Sequence, residues 1–179
     1  ALVWPVLGYG YYPSFIDYPG SVSVPDEIFA ETARAVIAGM AFSGVKRIVV
    51  INTGISTIAP LESALRGATW QATVILHNAY AGPKFTALEQ RLSEQTFGGH
   101  ADEIETSIML ALDESVVDMD VAKPQPTRIS RGLFNRSEPD QANYSPDGVN
   151  GDPTLATREK GQLLLRALSD DCLAVCDKG

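Results

Sequence analysis

Only two histidines, His77 and His100, occur among the 179 residues, so imidazole chemistry has two places to sit. His100 has the richer surroundings. The stretch Gly98-Gly99-His100-Ala101-Asp102-Glu103-Ile104-Glu105-Thr106-Ser107 sets one imidazole and three carboxylates close together in the chain. Two consecutive glycines let the backbone turn sharply, which places His100 at the entrance of a helix. Acidic residues in a first helical turn suit the positive end of the helix dipole, and that account needs no function. Glu105 departs from it, because its neighbours Ile104 and Ile108 are core-facing. A carboxylate flanked by core positions and a histidine is the pattern of a metal ligand or a general base. His100 and Glu105 are therefore the candidate catalytic residues. His77 ends an apolar run and also reads as a packed or hydrogen-bonded histidine.

Other chemistries are poorly supported. No G-x-S-x-G elbow is present, and Ser14, Ser43, Ser56 and Ser107 lack the glycine context of a nucleophile turn. Gly8 and Gly10 resemble half of a phosphate loop, but Tyr11-Tyr12-Pro13 leaves no open helix N-terminus behind them. Cys172 and Cys176 are the only cysteines, too few for a disulfide framework and a poor zinc signal; they read as small apolar residues on one side of a final element.

The elements that must position these residues alternate. Ala1 to Leu7 reads as a buried strand, followed by an aromatic loop from Tyr11 to Gly20. Asp26 opens a helix running to about Gly44, with Ile28, Phe29, Thr32, Val36 and Met40 near helical spacing. Val45 to Ile51 is a second strand, leading into Asn52-Thr53-Gly54-Ile55-Ser56-Thr57. Pro60 starts a short helix to about Arg66, and Ala72 to His77 forms a third strand. Phe85 to Glu94, Asp102 to Leu112 and Thr157 to Leu168 read as further helices. Lys123 to Pro153 lacks periodicity and reads as a functional loop or an oligomer contact. The alternation predicts an α/β fold, a mostly parallel sheet with helices on both faces, forming one domain over residues 1–179. Chemistry in such folds gathers at the C-terminal ends of strands, here the loops after Leu7, Ile51 and His77. The expected pocket lies where the Gly8–Tyr18 loop, the Asn52–Thr57 loop and His100 meet, with Tyr9, Tyr12 and Asn52 as substrate contacts.

Composition narrows the partners. Hydrophobic residues make up 45% of the chain and charged residues 20%, enough for a real core. A formal charge of −8 without a basic patch disfavours nucleic acid. No apolar run approaches a membrane span, so membrane partnership is not expected, and two cysteines favour the reducing cytoplasm. The chain starts in an apolar run without the charged start of a signal peptide, an opening that suggests further residues upstream or on another chain.

Five segments in one order resemble the creatininase family. Val3-Trp4-Pro5-Val6-Leu7-Gly8-Tyr9-Gly10 is similar to its apolar strand ending in a YG turn, and Tyr18-Pro19-Gly20-Ser21-Val22-Ser23-Val24 to its FPGT-x-S-L segment. Gly44 to Asn52 is similar to the strand that delivers its NGHGGN loop. Gly99-His100-Ala101 with Glu105-Thr106-Ser107 resembles its H-A-x-x-x-E-T-S motif. Ser145 to Val149, Gly151 to Thr157 and Glu159-Lys160-Gly161 resemble its closing GV-x-GDP-x-x-AT segment.

The resemblance implies a three-layer α/β amidohydrolase, commonly oligomeric, whose two divalent ions (Zn or Mn) activate water against the C–N bond of a small cyclic amide or formamide. It also exposes departures. The family's upstream Glu-x-His segment has no counterpart, nor do its first strand and helix. Gly54 stands where the histidine of the NGHGGN loop would be, and Phe15 where a histidine often precedes the FPG segment. Of the implied ligands, only His100 and Glu105 remain, so Glu105 would bind metal only with ligands from another chain. Three readings follow: a hydrolase subunit completed by a partner in a homo- or hetero-oligomer, a non-catalytic subunit, or a metal-free enzyme using His100 and Glu105.

Overall fold

A computed structural model describes residues 1–125, 128 and 144–177. Most of the 123–153 stretch predicted as a long functional loop lies outside the described residues. The first helix, α1 (Asp26–Phe42), carries Asp26 and Glu27 in its first turn, where their charge suits the helix dipole. It buries Phe29, Ala30, Ala33, Ile37 and Ala41 along one stripe. Gly44, at φ +95°, takes the left-handed conformation just past its end, which a side chain would resist.

Strand β1 (Arg47–Asn52) follows, then α2 (Ile58–Leu65) and β2 (Thr73–Asn78). The two strands pair in parallel from Arg47 opposite Thr73 to Asn52 opposite Asn78, so both strands end level. Alternation sorts their side chains. Ile48, Val50, Val74 and Leu76 pack against α1 and α2. The opposite face receives the second helical layer, where the Arg47 guanidinium donates to the Val175 carbonyl at 2.6 Å near the end of the last helix.

That layer holds α3 (Pro83–Leu92), α4 (Glu103–Leu112) and α5 (Arg158–Asp177). Phe85, Ile104, Ile108 and Leu164 form its buried centre, each worth about 1.5–3 kcal/mol of apolar burial. The α4 and α5 backbones approach so closely that a methyl group at Gly161 would run into the Ser107 carbonyl. Ser107, fully buried, fits this crossing by donating its hydroxyl to the Glu103 carbonyl at 2.6 Å and accepting the Thr157 N–H at 3.1 Å. Asp171 of α5 caps α3, accepting the Phe85 N–H at 2.9 Å and the Lys84 N–H at 3.3 Å.

The predicted α/β class with a parallel sheet between helices is what the molecule adopts. Three elements differ from expectation. Residues 1–7 form no strand: Leu2 and Val3 are 91% and 97% exposed. An isolated apolar run lacks partners for its N–H and C=O groups, and among the described residues no strand pairs with it. The last helix continues to Asp177 instead of stopping near Leu168, because Asp171 is still buried and bonded to the Lys84 and Phe85 N–H groups. Helix α2 begins two residues before Pro60, which sits in the first turn where its missing N–H costs nothing.

Candidate active site at the head of α4

The site grows from how α4 begins. Asp102 is its N-cap, accepting the Ile104 and Glu105 N–H groups at 2.9 and 3.0 Å. Its other oxygen accepts the Gly99 N–H and the Gln95 side-chain amide, both at 2.9 Å. Ala101, at φ +46°, stands in the left-handed region, a strained place for a residue with a Cβ. That turn aims its N–H at Glu105 Oε2, 2.7 Å away.

The three acids of the motif take three different roles. Asp102 caps the helix. Glu103 is fully buried: its Oε2 accepts the Glu94 and Gln95 N–H groups at 2.8 and 2.9 Å, and its Oε1 lies 2.5 Å from Lys160 Nζ. Lys160, whose side chain is 14% exposed, also reaches Glu94 at 2.6 Å. Burial alone would lower the Lys160 pKa, but its bonds to the Glu103 and Glu94 carboxylates outweigh burial and raise it. Glu105 meets His100, with Nδ1 3.4 Å from Oε2 and the side chains 36% and 39% exposed. Burial pushes the Glu105 carboxyl up, yet bonding to His100, the Ala101 N–H and the attraction of the imidazole together hold it below the usual range.

Neighbouring segments fix the imidazole. The His100 and Asn150 backbones exchange hydrogen bonds of 3.3 and 2.8 Å as an isolated antiparallel bridge. Phe15 packs its ring on His100, centroids 4.3 Å apart. Tyr18 donates its hydroxyl to the Ser145 carbonyl and stacks on Tyr144, joining the aromatic loop to the closing segment. Tyr80, just past β2, has its hydroxyl pKa raised by burial, then by the charges of Glu105 and Asp102. Tyr80 and Asn150 escaped the sequence reading. Tyr80's position directly after a strand end was the signal available for it.

The remaining predicted positions are spread out. Tyr12 lies against the 52–57 loop: a Cβ on Gly54 would meet its ring at 3.4 Å. The aromatic loop thus touches the 52–57 loop through Tyr12 and His100 through Phe15, at two of the places expected to converge. Tyr9 is 69% exposed and lines a different, open cleft of about 250 Å³ with Leu7, Val24 and Ile28. Asn52 is buried and satisfied within its surroundings. Its Nδ2 donates to the Gly54 carbonyl and Asn78 Oδ1 at 2.8 and 2.9 Å. Its Oδ1 accepts the Gly54 N–H at 3.3 Å and the Thr57 hydroxyl at 2.6 Å. His77 stands at the end of β2 with Nε2 buried and without a hydrogen bond among the described residues. Cys172 and Cys176 are free thiols on α5, and burial, then Cys176 and Asp171, raise the Cys172 pKa.

The family model for creatininase, described as creatinine amidohydrolase, matches residues 1–176. The chain belongs to the creatininase family. Creatinine amidohydrolase of Pseudomonas putida is 29% identical over 184 residues, spanning 92% of this chain and 70% of that protein. The 3-dehydro-scyllo-inosose hydrolase of Thermotoga maritima is 27% identical over 191 residues, spanning 92% of this chain and 60% of that one. A solved structure of creatinine amidohydrolase superposes with a TM-score of 0.79 at 26% identity, covering 98% of this chain and 74% of its own. Another, described as creatininase Mn, gives 0.77 at 25% identity over 96% and 73%.

Divalent metal therefore occurs in the creatininase family, and the residues of this chain can be tested against it. They do not fit by themselves. Among the described residues no three His, Cys, Asp or Glu side chains gather as a ligand set. His100 and Glu105 supply two donors that already face each other. In the 52–57 loop, a Cβ at Gly54 would crowd the Thr57 hydroxyl at 2.7 Å and the Tyr12 ring at 3.4 Å.

Proposed function

We propose that this creatininase-family chain is a hydrolase subunit opening the C–N bond of a small cyclic amide or formamide, with His100 and Glu105 as its acid–base pair. The observation that carries the reading is the 3.4 Å contact between His100 Nδ1 and Glu105 Oε2 at the head of a capped helix. Glu105 accepts Nδ1–H and so selects the tautomer that directs Nε2 to acid–base work. Water gives a proton to Nε2 as its oxygen bonds to the carbonyl carbon. The same proton then passes to the departing nitrogen as the C–N bond breaks, leaving a carboxylic acid and an amine. Phe15 holds the ring plane while this happens. Tyr80, whose hydroxyl feels the charge of Glu105, is a further candidate for substrate contact. Both relatives are named hydrolases, which supports hydrolysis, and the name of the first, creatinine amidohydrolase, supports a C–N bond as its target.

Work as part of an assembly is supported by the exposed apolar row Leu2, Val3 and Val6, since large exposed apolar patches mark contact surfaces. A further segment, from this or another chain, would cover it. One observation favours a second reading, a subunit that keeps the fold without turnover: the filled position at Gly54.

The test is turnover of a panel of cyclic amides and formamides by the purified protein. His100→Ala and Glu105→Gln should each cut kcat by at least about a hundredfold while circular dichroism stays native. Unchanged turnover in both variants would refute the assigned pair. A wild-type protein inert on the whole panel would favour the non-catalytic subunit.

A further inference from the structure

The loop between β1 and α2 stands where the family resemblance implies a metal ligand, and its chemistry here is of another kind. Gly54 does not occupy the left-handed region, so its backbone would accept a side chain. Space excludes one: a Cβ at Gly54 would lie 2.7 Å from Thr57 Oγ1 and 3.4 Å from the Tyr12 ring. Thr57, buried, shares its single hydroxyl proton between Asn52 Oδ1 at 2.6 Å and the Gly54 carbonyl at 2.9 Å. Asn52 completes the set by donating to Asn78 across the level ends of the two strands. Both amide hydrogens and both acceptor lone pairs of Asn52 are thereby engaged.

We infer that residues 52–57 form a hydrogen-bonded clasp over the C-terminal ends of β1 and β2 and contribute no ligand to a metal ion. The buried Asn52 and Thr57 side-chain oxygens are committed to one another, and a Cβ at Gly54, the first atom of any ligating side chain there, would crowd Thr57 and Tyr12. Any ion this protein carries is then held without the loop. This inference does not depend on the proposed turnover, because it is read by metal content and by backbone protection.

The experiment compares wild type, Thr57→Val and Gly54→His, each equilibrated with excess ZnCl2 or MnCl2, desalted, and measured by mass spectrometry for metal per chain. Thr57→Val should carry the same metal content as wild type, and Gly54→His should gain none. In parallel, amide exchange at Gly54 should be about five- to tenfold faster in Thr57→Val, because the Asn52 Oδ1 that accepts the Gly54 N–H loses the hydroxyl that holds it in place. Metal content that falls in Thr57→Val with native circular dichroism would overturn the inference, as would an added ion in Gly54→His. Unchanged exchange at Gly54 would overturn the clasp. If Gly54→His fails to fold, Thr57→Val still decides.

Discussion

Replacing Lys160 by methionine tests how the head of α4, and with it the His100–Glu105 pair, is held in place. Glu103 has no exposed surface, and its Oε1 meets the Lys160 ammonium at 2.5 Å. Methionine keeps the aliphatic stem and removes the charge. The two backbone N–H groups on Glu103 Oε2 remain, but the carboxylate is left buried without its cation. Breaking such a pair from one side costs about 3–5 kcal/mol. That is about a fifth or more of the roughly 5–15 kcal/mol a domain has. For a chain of this length it lowers Tm by about 6–20 °C. Thermal melts followed by circular dichroism at neutral pH give the number. The double variant Glu103→Gln/Lys160→Met should recover part of the loss, because no lone charge is then buried. The pH dependence has a definite sign. The Lys160 pKa is raised by its carboxylate partners, so its stabilisation is complete below the ordinary lysine value and fades as pH rises through the raised one. Wild type and Lys160→Met should therefore converge in stability toward strongly alkaline pH. A Lys160→Met protein melting within about 2 °C of wild type would refute the argument, since it corresponds to less than about 1 kcal/mol.

Further outcomes can be checked in the same way. Gly161→Ala should destabilise by about 1–3 kcal/mol or more in urea unfolding, since the added methyl meets the Ser107 carbonyl and neither helix can yield without repacking the core. Asp102→Ala removes the α4 cap and should cost about 0.5–2 kcal/mol, with faster amide exchange at Ile104 and Glu105. The turnover losses in His100→Ala and Glu105→Gln, and the unaltered metal content of Thr57→Val, complete the set.

Local chemistry made much of this legible in the sequence. Helical spacing from Asp26 and from Asp102, and the apolar runs at Val45–Ile51 and Ala72–His77, each dictate their element, because periodicity alone decides which face can be buried. The glycine pair before His100 marked the start of a helix, and the structure brings His100 and Glu105 into contact there. Residues 1–7 show the limit. Their composition is that of a strand, but a strand is a relation between two backbones, and no sequence pattern says whether the partner is within reach.

The division of labour among Asp102, Glu103 and Glu105 belongs to the tertiary structure. All three carry the same carboxylate, and sequence can say only that their roles differ. What separates them is a Lys160 fifty-seven positions away in the chain, |i−j| = 57, the Ala101 turn, and the imidazole. The same holds for Asn52 and Gly54. Sequence alone shows only a glycine at position 54; the tertiary structure shows that a Cβ there would crowd Thr57 and Tyr12. Periodicity and motif order are properties of one chain read along its length, and they determined the fold class and the family. Charge pairing, filled volume and strand-end bonding arise between residues that folding brings together, so these were decided in three dimensions.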